Sequence, residues 1–177
     1  MLELVGAQPP EDDRVAESLL AGVPEAHRLA AWILRDSVCA EDAVQEALLR
    51  AWKVRQTIRL ELGEPQRWFM RIVVNVCRDE LRRRRRSVVA AEPASGVASS
   101  PADQSAADYT DLDRAIGRLK PDEQVVLGLR FGRDLTIPQI AAQTGLREGT
   151  VKSRLHYALE HVRAALEAER RAQEQKR

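Results

Sequence analysis

The sequence predicts an all-α protein: two small helical domains joined by a flexible linker, with a helix-turn-helix in the carboxy-terminal domain. Apolar residues recur at spacings of three and four in both halves of the chain, and the alternation typical of strands is not convincing anywhere. The 177 residues are 44% apolar and 31% charged, which is ordinary for a globular protein. Only 4% are aromatic, so the cores are expected to be aliphatic.

The domain boundaries follow from a change in composition. Residues 87–107 read "SVVAAEPASGVASSPADQSAA", in which small residues and two prolines replace the helical periodicity on either side. Such a composition favours an extended, mobile linker. We therefore predict a first domain over residues 1–86 and a second over residues 108–177.

Prolines and glycines mark the expected helix ends. In the first domain, helices are predicted over about 24–37 and 40–55 and from Pro65 onward; in the second, over about 110–119, 121–131 and 136–143 and from Arg147 onward. Proline suits the first turn of a helix, where its missing N–H costs nothing. The last two helices, with the turn "TGL" between them, form the predicted helix-turn-helix, whose anchors are Ile140, Ala141, Gly145, Leu146 and Val151.

The net charge is only +1, but positive and negative residues are distributed unevenly along the chain. Residues 1–50 hold four basic and ten acidic side chains, whereas residues 66–86 hold eight basic and two acidic ones. Residues 136–177 hold eight basic and five acidic side chains, a weaker second positive segment. Two positive regions separated by neutral or acidic chain indicate two contacts with a polyanion.

The stretch "RWFMRIVVNVCRDELRRRRR" is predicted to be an amphipathic helix. Its core face carries Phe69, Ile72, Val73 and Val76, and its other face carries Trp68, Arg71, Asn75, Arg78, Arg82 and Arg86. Cations that follow phosphates, together with a ring that stacks on a base, suit single-stranded or opened nucleic acid. A surface helix with a core tryptophan and frayed arginines is an equally good interpretation. The five consecutive arginines cannot all lie on one face.

Two further helix faces are candidates for binding. On the helix over 40–55, Asp42, Gln45, Glu46 and Leu49 share one side, which fits either a solvated face or a face that docks on a partner. On the last helix, Gly149, Ser153, His156 and Tyr157 lie opposite the core stripe and are flanked by Lys152, Arg147 and Arg154. Small and polar groups between cations suit a major groove, although His156 also fits an ordinary exposed position.

Several function classes are not supported by any motif. Cys39 and Cys77 are far apart in the sequence, without a CxxC pair or clustered histidines, so neither a disulfide framework nor a metal site is predicted. A phosphate-cradling glycine loop, an HExxH motif and a nucleophile beside a base are all missing, so we expect no enzyme and no cofactor. The amino terminus "MLELVGAQPPEDD" does not resemble a signal peptide, and a cytoplasmic protein without membrane contact is expected.

Three segments together resemble the small, extracytoplasmic-function sigma factors of bacterial RNA polymerase. The segment "AEDAVQEALLRAWK" resembles their core-binding helix, "WFMRIVVNVCRDELRRRRR" their -10-reading helix and "GTVKSRLHYALEHVRAAL" their -35-reading helix. The resemblance covers most of residues 25–166 in the family's order. It implies a non-catalytic subunit that binds core RNA polymerase, recognises duplex -35 and melted -10 promoter DNA, and is held by an anti-sigma factor.

The resemblance also assigns residues to each contact. It places Asp42, Gln45, Glu46 and Leu49 on the polymerase clamp helices; Trp68, Arg71, Asn75, Arg78, Arg82, Arg83 and Arg86 on the -10 element; and Arg147, Thr150, Lys152, Ser153, Arg154, His156 and Tyr157 on the -35 element. The loop over 54–64 would capture an unstacked base. Pro138 and Gln139 depart from the family pattern, in which an acidic residue in an uninterrupted helix is usual.

Two alternatives start from the same residues. The first is a two-domain regulator that binds duplex DNA through the helix-turn-helix and a protein partner through its amino-terminal half. The second is a helical protein that binds RNA through its arginines. Binding to core polymerase separates the sigma factor from both.

Overall fold

The computed structural model describes residues 11–54, 65–90 and 111–175. Within these ranges the regular structure is helical throughout. The α-helices are α1 (Glu11–Ala21), α2 (Val23–Leu34), α3 (Ser37–Val54), α4 (Pro65–Ala90), α5 (Asp111–Gly117), α6 (Pro121–Leu127), α7 (Ile137–Thr144) and α8 (Glu148–Glu174). A π-helical segment, Gly128–Gly132, continues α6.

A tight turn joins α2 to α3. Arg35 adopts a left-handed conformation (φ 56°), and its N–H donates to the carbonyl of Ala31, which ends α2. The next residue, Asp36, caps α3: its carboxylate accepts a hydrogen bond from the N–H of Cys39 at 2.9 Å. That bond satisfies one of the donors left unpaired at a helix amino terminus.

The inner side of α3 is built from alanine. Ala40, Ala43, Ala47 and Ala51 recur at spacings of three and four and are buried. Small side chains let the backbones of α2 and α4 approach α3 closely, and the larger buried residues Leu29, Ile33, Phe69 and Val73 fill the remaining space. Val44 is buried as well and Leu48 packs against the same core, whereas Leu49 and Trp52 lie on the outer surface.

The helix-turn-helix of the second domain is closed by capping interactions. At the start of α7, the side-chain oxygen of Gln139 accepts hydrogen bonds from the backbone N–H of Thr136 at 2.8 Å and from its hydroxyl at 2.9 Å. Pro138 lies in the first turn of α7 and therefore costs no helical hydrogen bond. Gly145, with φ 72°, ends α7 in the left-handed conformation that glycine adopts most easily. Both departures from the family pattern thus have a local role.

The two domains pack against each other. Their buried apolar residues form one continuous cluster. The indole of Trp32 on α2 lies against Gly128 and Gly132 of the π-helical segment: a Cβ at Gly128 would come within 2.7 Å of Trp32 Cε3 and 2.9 Å of Ile33 Cγ1. Ion pairs Arg35 to Asp113 and Arg133 to Glu25 also link the domains. The domain contact is therefore close and partly apolar.

The prediction of an all-α fold is confirmed, and most helix limits agree within a few residues. Three details differ. Helix α1 has no counterpart among the helices predicted with bounds, the π-helical segment was not predicted, and α4 runs through Ser87 to Ala90, four residues into the expected linker. Most of the predicted linker and the loop at 55–64 lie outside the described residues. Among the described helices, none is long and apolar enough to span a membrane.

We predict that Asp36→Ala lowers the free energy of unfolding by about 1 kcal/mol at neutral pH, because it removes the cap of α3. The hydrogen bond from Cys39 holds the pKa of Asp36 below its ordinary value. A carboxyl with a lowered folded pKa contributes stability above its unfolded pKa of about 3.9 and loses it as the pH falls through the folded value. Urea unfolding of both proteins at neutral and acidic pH measures the difference.

Asp36→Asn is the control for this prediction, since asparagine caps a helix about as well as aspartate but does not titrate. It should keep most of the stability at neutral pH and remove the pH dependence contributed by this position. Equal destabilisation by both substitutions would contradict the capping role.

Candidate functional surfaces

The basic face of α4 lies against the second domain. Arg71, Asn75, Arg78 and Arg82 follow one another along it at helical spacing, as the sequence predicted. Arg71 Nη2 donates to the carbonyl of Ala142 on α7 at 2.8 Å. Ala142 lies in the last turn of α7, where carbonyl groups have no helical partner and carry the negative end of the helix dipole. We refer to Arg71, Asn75, Arg78 and Arg82 as the α4 basic face.

One carboxylate on α6 lies close to three arginines. Asp122 lies 3.1 Å from Arg78 Nε, 3.3 Å from Arg82 Nη2 and 3.5 Å from Arg154 Nη2. Burial lowers the pKa of Arg78, while Asp122 opposes this effect and the other two arginines add to it. Arginine remains protonated at neutral pH even so. The cluster therefore contains three positive charges and one negative charge.

The run of five arginines has several roles. Arg84 points into the first domain, where it donates to Glu80 at 2.9 Å and to the carbonyl of Leu34 at 3.3 Å. Arg83 forms a bidentate pair with Glu80 at 2.7 and 2.8 Å, and this hydrogen bonding lowers the pKa of Glu80. Only Arg82 of the run contacts Asp122. Arg83 therefore points away from the α4 basic face with which it was grouped.

Trp68 and Arg86 were also predicted to contact the -10 element, but neither belongs to the α4 basic face. Trp68 is half-buried and packs against the hydrophobic cluster, so much of its ring contributes to the core. Arg86 is exposed and lines two concavities, one toward α3 and one toward α6. The structure thus brings four of the seven predicted -10 residues onto one face and distributes Trp68, Arg83 and Arg86 around it.

The outer face of α3 is exposed. Asp42, Gln45, Glu46 and Leu49 all lie on it, and Leu49 is 57% exposed. Two apolar residues that the sequence analysis did not assign share this face: Val38, 68% exposed, and Trp52, 48% exposed. The sequence could have placed Trp52 on this face, since Trp52 follows Leu49 by three residues on the same helix. Beside this face, a groove of about 400 Å³ between α3 and α4 is lined by Asp42, Glu46, Arg50, Asp79 and Arg83, among others.

The predicted -35 face of α8 is also exposed, except at one edge. Ser153, His156 and Tyr157 lie on the surface, and the His156 and Tyr157 rings are 5.6 Å apart. Lys152 is exposed on one side, with Arg147 just before the helix and Thr150 in its first turn. On the other side, Arg154 is half-buried because it reaches Asp122.

Both cysteines are free thiols. Burial raises the pKa of Cys77 to about 12, and burial also raises the pKa of the half-buried Cys39. Protonated thiols are poor nucleophiles and poor metal ligands. Within the described ranges, no group of three or more His, Cys, Asp or Glu side chains could hold a metal ion.

Two known protein families match segments of the chain that contain these helices. Residues 21–87 match Sigma-70 region 2, and residues 115–164 match Sigma-70 region 4. The ECF RNA polymerase sigma factor SigL of Mycobacterium tuberculosis is 33% identical over 159 residues, which are 85% of this chain and 90% of SigL. The chain belongs to the ECF sigma factors. It is therefore a non-catalytic subunit that directs RNA polymerase in transcription initiation, with core polymerase and promoter DNA as partners.

Two further relatives agree with this assignment. Sigma factor SigV of Bacillus subtilis is 32% identical over 143 residues, 81% of this chain and 85% of SigV. The structure of the sigma factor RpoE from Bartonella quintana, in complex with the anti-sigma factor NepR, is similar with a TM-score of 0.62 and 26% identity; the match covers 88% of this chain and 98% of that one. The family assignment favours neither the duplex-DNA regulator nor the RNA-binding protein.

We predict different stability effects within the arginine run of this sigma factor. Arg84→Ala should lower the free energy of unfolding by about 1 kcal/mol, because it removes hydrogen bonds to Glu80 and Leu34 from a half-buried position. Arg86→Ala, at an exposed site, should leave stability within about 0.5 kcal/mol of wild type. Urea unfolding followed by circular dichroism measures both, and equal effects would contradict the division of the run.

Proposed function

We propose that this sigma factor uses three separate helix faces for its three contacts. The outer face of α3 binds core polymerase, the α4 basic face binds the -10 element as it opens, and the exposed face of α8 reads the -35 element. The observation that carries the proposal is the separation of the acidic, partly apolar face of α3 from the two basic faces. Residues 1–86 and 108–177 would be the corresponding functional domains.

The properties of the α3 face support a protein contact. Val38, Leu49 and Trp52 are apolar and exposed, and Asp42 and Glu46 lie among them. Aromatic and aliphatic side chains surrounded by charge are characteristic of protein interfaces. The backbone beneath them is fixed by the buried alanine stripe, so the face is presented on a rigid helix.

The α4 basic face has the charge and the spacing to follow a phosphate backbone. Arg71, Arg78 and Arg82 are separated by seven and four residues, which places three cations along one side of the helix. We propose these, with Asn75, as the main -10 contacts, supported by Trp68, Arg83 and Arg86 near them. Phosphate contacts position a protein on DNA, and base contacts supply specificity.

On α8, the arrangement supports major-groove reading. Ser153, His156 and Tyr157 would face the base edges, while Arg147, Thr150, Lys152 and Arg154 would contact the flanking backbone or neighbouring bases. A recognition helix of this kind places its first turns deepest in the groove. We also propose that the chain acts in the cytoplasm and, by analogy with the RpoE complex, that an anti-sigma factor holds it.

The direct test of the proposed function is reconstitution with core polymerase. Purified protein should form a complex with core enzyme and start transcription at specific sites on genomic DNA fragments, which sequencing of the transcript ends would identify. Failure to bind core enzyme at any ionic strength would contradict the proposed role of α3. Binding without specific initiation would contradict the two DNA assignments.

We predict that Asp42→Arg combined with Glu46→Arg reduces affinity for core polymerase at least tenfold, because two charges reverse sign at an interface. Fluorescence anisotropy with labelled sigma factor measures the affinity. Glu160→Arg combined with Glu167→Arg is the matched control, with the same charge change on exposed positions of α8. Unchanged affinity in the α3 variant, or an equal loss in the control, would remove the assignment.

We predict that Arg154→Ala weakens holoenzyme binding to the -35 element by about 1–3 kcal/mol and relaxes specificity there, if its guanidinium contacts a base. Lys152→Ala should weaken binding about equally on all sequences, as expected for a phosphate contact. Binding to promoters with single substitutions in the -35 element measures both effects. A sequence-independent loss for Arg154→Ala would make it a phosphate contact instead.

A further inference from the structure

We propose that a cavity between α2, α4 and α7 binds a small carboxylic acid with a short apolar chain. The cavity has a volume of about 420 Å³. Its lining residues are different from those proposed above for core polymerase, the -10 element and the -35 element. A ligand bound there would therefore act on the sigma factor through a site separate from its three proposed contacts.

The size and position of the cavity suit a small molecule. Ligand pockets in proteins commonly measure about 300–1,000 Å³ and combine apolar walls with a few polar groups. This cavity lies near the lower end of that range. The two concavities lined by Arg86 differ from it, because one adjoins the α3 face proposed for polymerase and the other adjoins the arginines proposed for DNA.

A buried amide without a partner lines the cavity. Gln143 on α7 is 9% exposed, and its Nε2 has no hydrogen-bond partner among the described residues. Buried donors without an acceptor destabilise a fold and are uncommon in native proteins. Rotation about the last torsion of this side chain can present its N–H to a bound oxygen atom. A ligand acceptor would satisfy a group that the described residues leave unsatisfied.

The charged groups around the cavity favour an anion. Arg67 from α4 and Arg133 from the segment before α7 are positive, and Glu25 from α2 is negative, so these three groups leave an excess of positive charge. Arg133 donates to Glu25 through Nη2, and the guanidinium has further N–H groups that can bind an anion. Guanidinium groups bind carboxylates through paired, charge-assisted hydrogen bonds. A carboxylate is therefore the group expected beside Arg133 and Gln143.

An apolar wall completes the cavity. Met70 from α4 is 3% exposed, Leu135 is half-buried, and both line the space next to the polar groups. The flexible methionine side chain adapts its shape to what packs against it. A chain of a few CH2 groups can lie on this wall while the carboxylate meets the donors. An inorganic anion would leave the wall without a contact, which is why the expected ligand is an aliphatic acid.

A ligand in this cavity would contact both domains, since α2 and α4 belong to the first and α7 belongs to the second. A molecule that binds the folded chain and not the unfolded chain stabilises the folded chain by mass action. The concentration of a small acid would in this way affect the stability of the sigma factor.

The test uses sodium butyrate as the probe and the full-length protein labelled with ¹⁵N. The side-chain amide signals of Gln143 are identified by their loss in Gln143→Leu, and a titration followed by NMR gives the Kd from their shifts. Acetate, butylamine and inorganic phosphate are titrated at the same pH and ionic strength. Butyrate should bind about tenfold more tightly than acetate, because each buried CH2 group contributes roughly a fourfold gain. Butylamine and phosphate should leave the signals unshifted.

Variants separate a binding role of Gln143 from a structural one. Gln143→Leu keeps the size of the side chain and removes its donors, so it should weaken butyrate binding at least about tenfold without lowering the urea midpoint. Arg133→Lys keeps the charge and removes the planar fork, and it should weaken binding several-fold. Gln173→Leu makes the same chemical change at an exposed position of α8 and should bind butyrate like wild type. Backbone amide signals of α7 report binding in all variants.

Three results would overturn the proposal. The first is the absence of saturable shifts with butyrate, and the second is equal affinity for acetate and butyrate, which would remove the role of the apolar wall. The third is a lower urea midpoint in Gln143→Leu with unchanged butyrate affinity, which would make the amide structural. Polymerase binding and initiation are measured without butyrate, so each of these results leaves the proposed function standing or failing on its own test.

Discussion

The carboxylate of Asp122 joins the two domains at a point where it meets two arginines from α4 of the first domain and one from α8 of its own domain. Partly exposed ion pairs contribute little each and weaken with salt. The packing of Trp32 on Gly128 and Gly132 supplies the apolar area that such pairs lack. The domain contact therefore combines modest charge pairs with one aromatic anchor.

In the first domain, the residues proposed for binding lie on different helix sides from the core residues. On α3, the alanine stripe satisfies the packing requirement with the smallest side chains, so Leu49 and Trp52 are not needed inside. On α4, Phe69 and Val73 face inward and the arginines face outward. The helical periodicity therefore places the core residues and the residues proposed for binding on different sides of both helices. Arg84 is the exception, since it turns back to hold α2 and α4 together through Leu34 and Glu80.

The sequence predicted the structure correctly where residues close together in the chain determine it. Helix ends followed from Pro65, Gly145 and similar signals, and the α4 basic face followed from spacing. The partners of that face could not be predicted, because Arg71 and Ala142 are separated by 71 positions and Arg82 and Asp122 by 40. No periodic pattern relates such residues. The arginine run also could not be divided from sequence, since Arg83 and Arg84 differ from Arg82 only in what surrounds them.

The pair Gly128 and Gly132, one helical turn apart, gives the domain contact a signature that can be read in other sequences. The indole of Trp32 needs a surface without Cβ atoms, and two glycines on one side of a helical segment provide it. A sigma factor that carries larger residues at these two places cannot seat a tryptophan in the same way, so its domains must meet differently or stay apart. The glycine pair and the tryptophan together therefore mark sequences whose two domains can pack by this route.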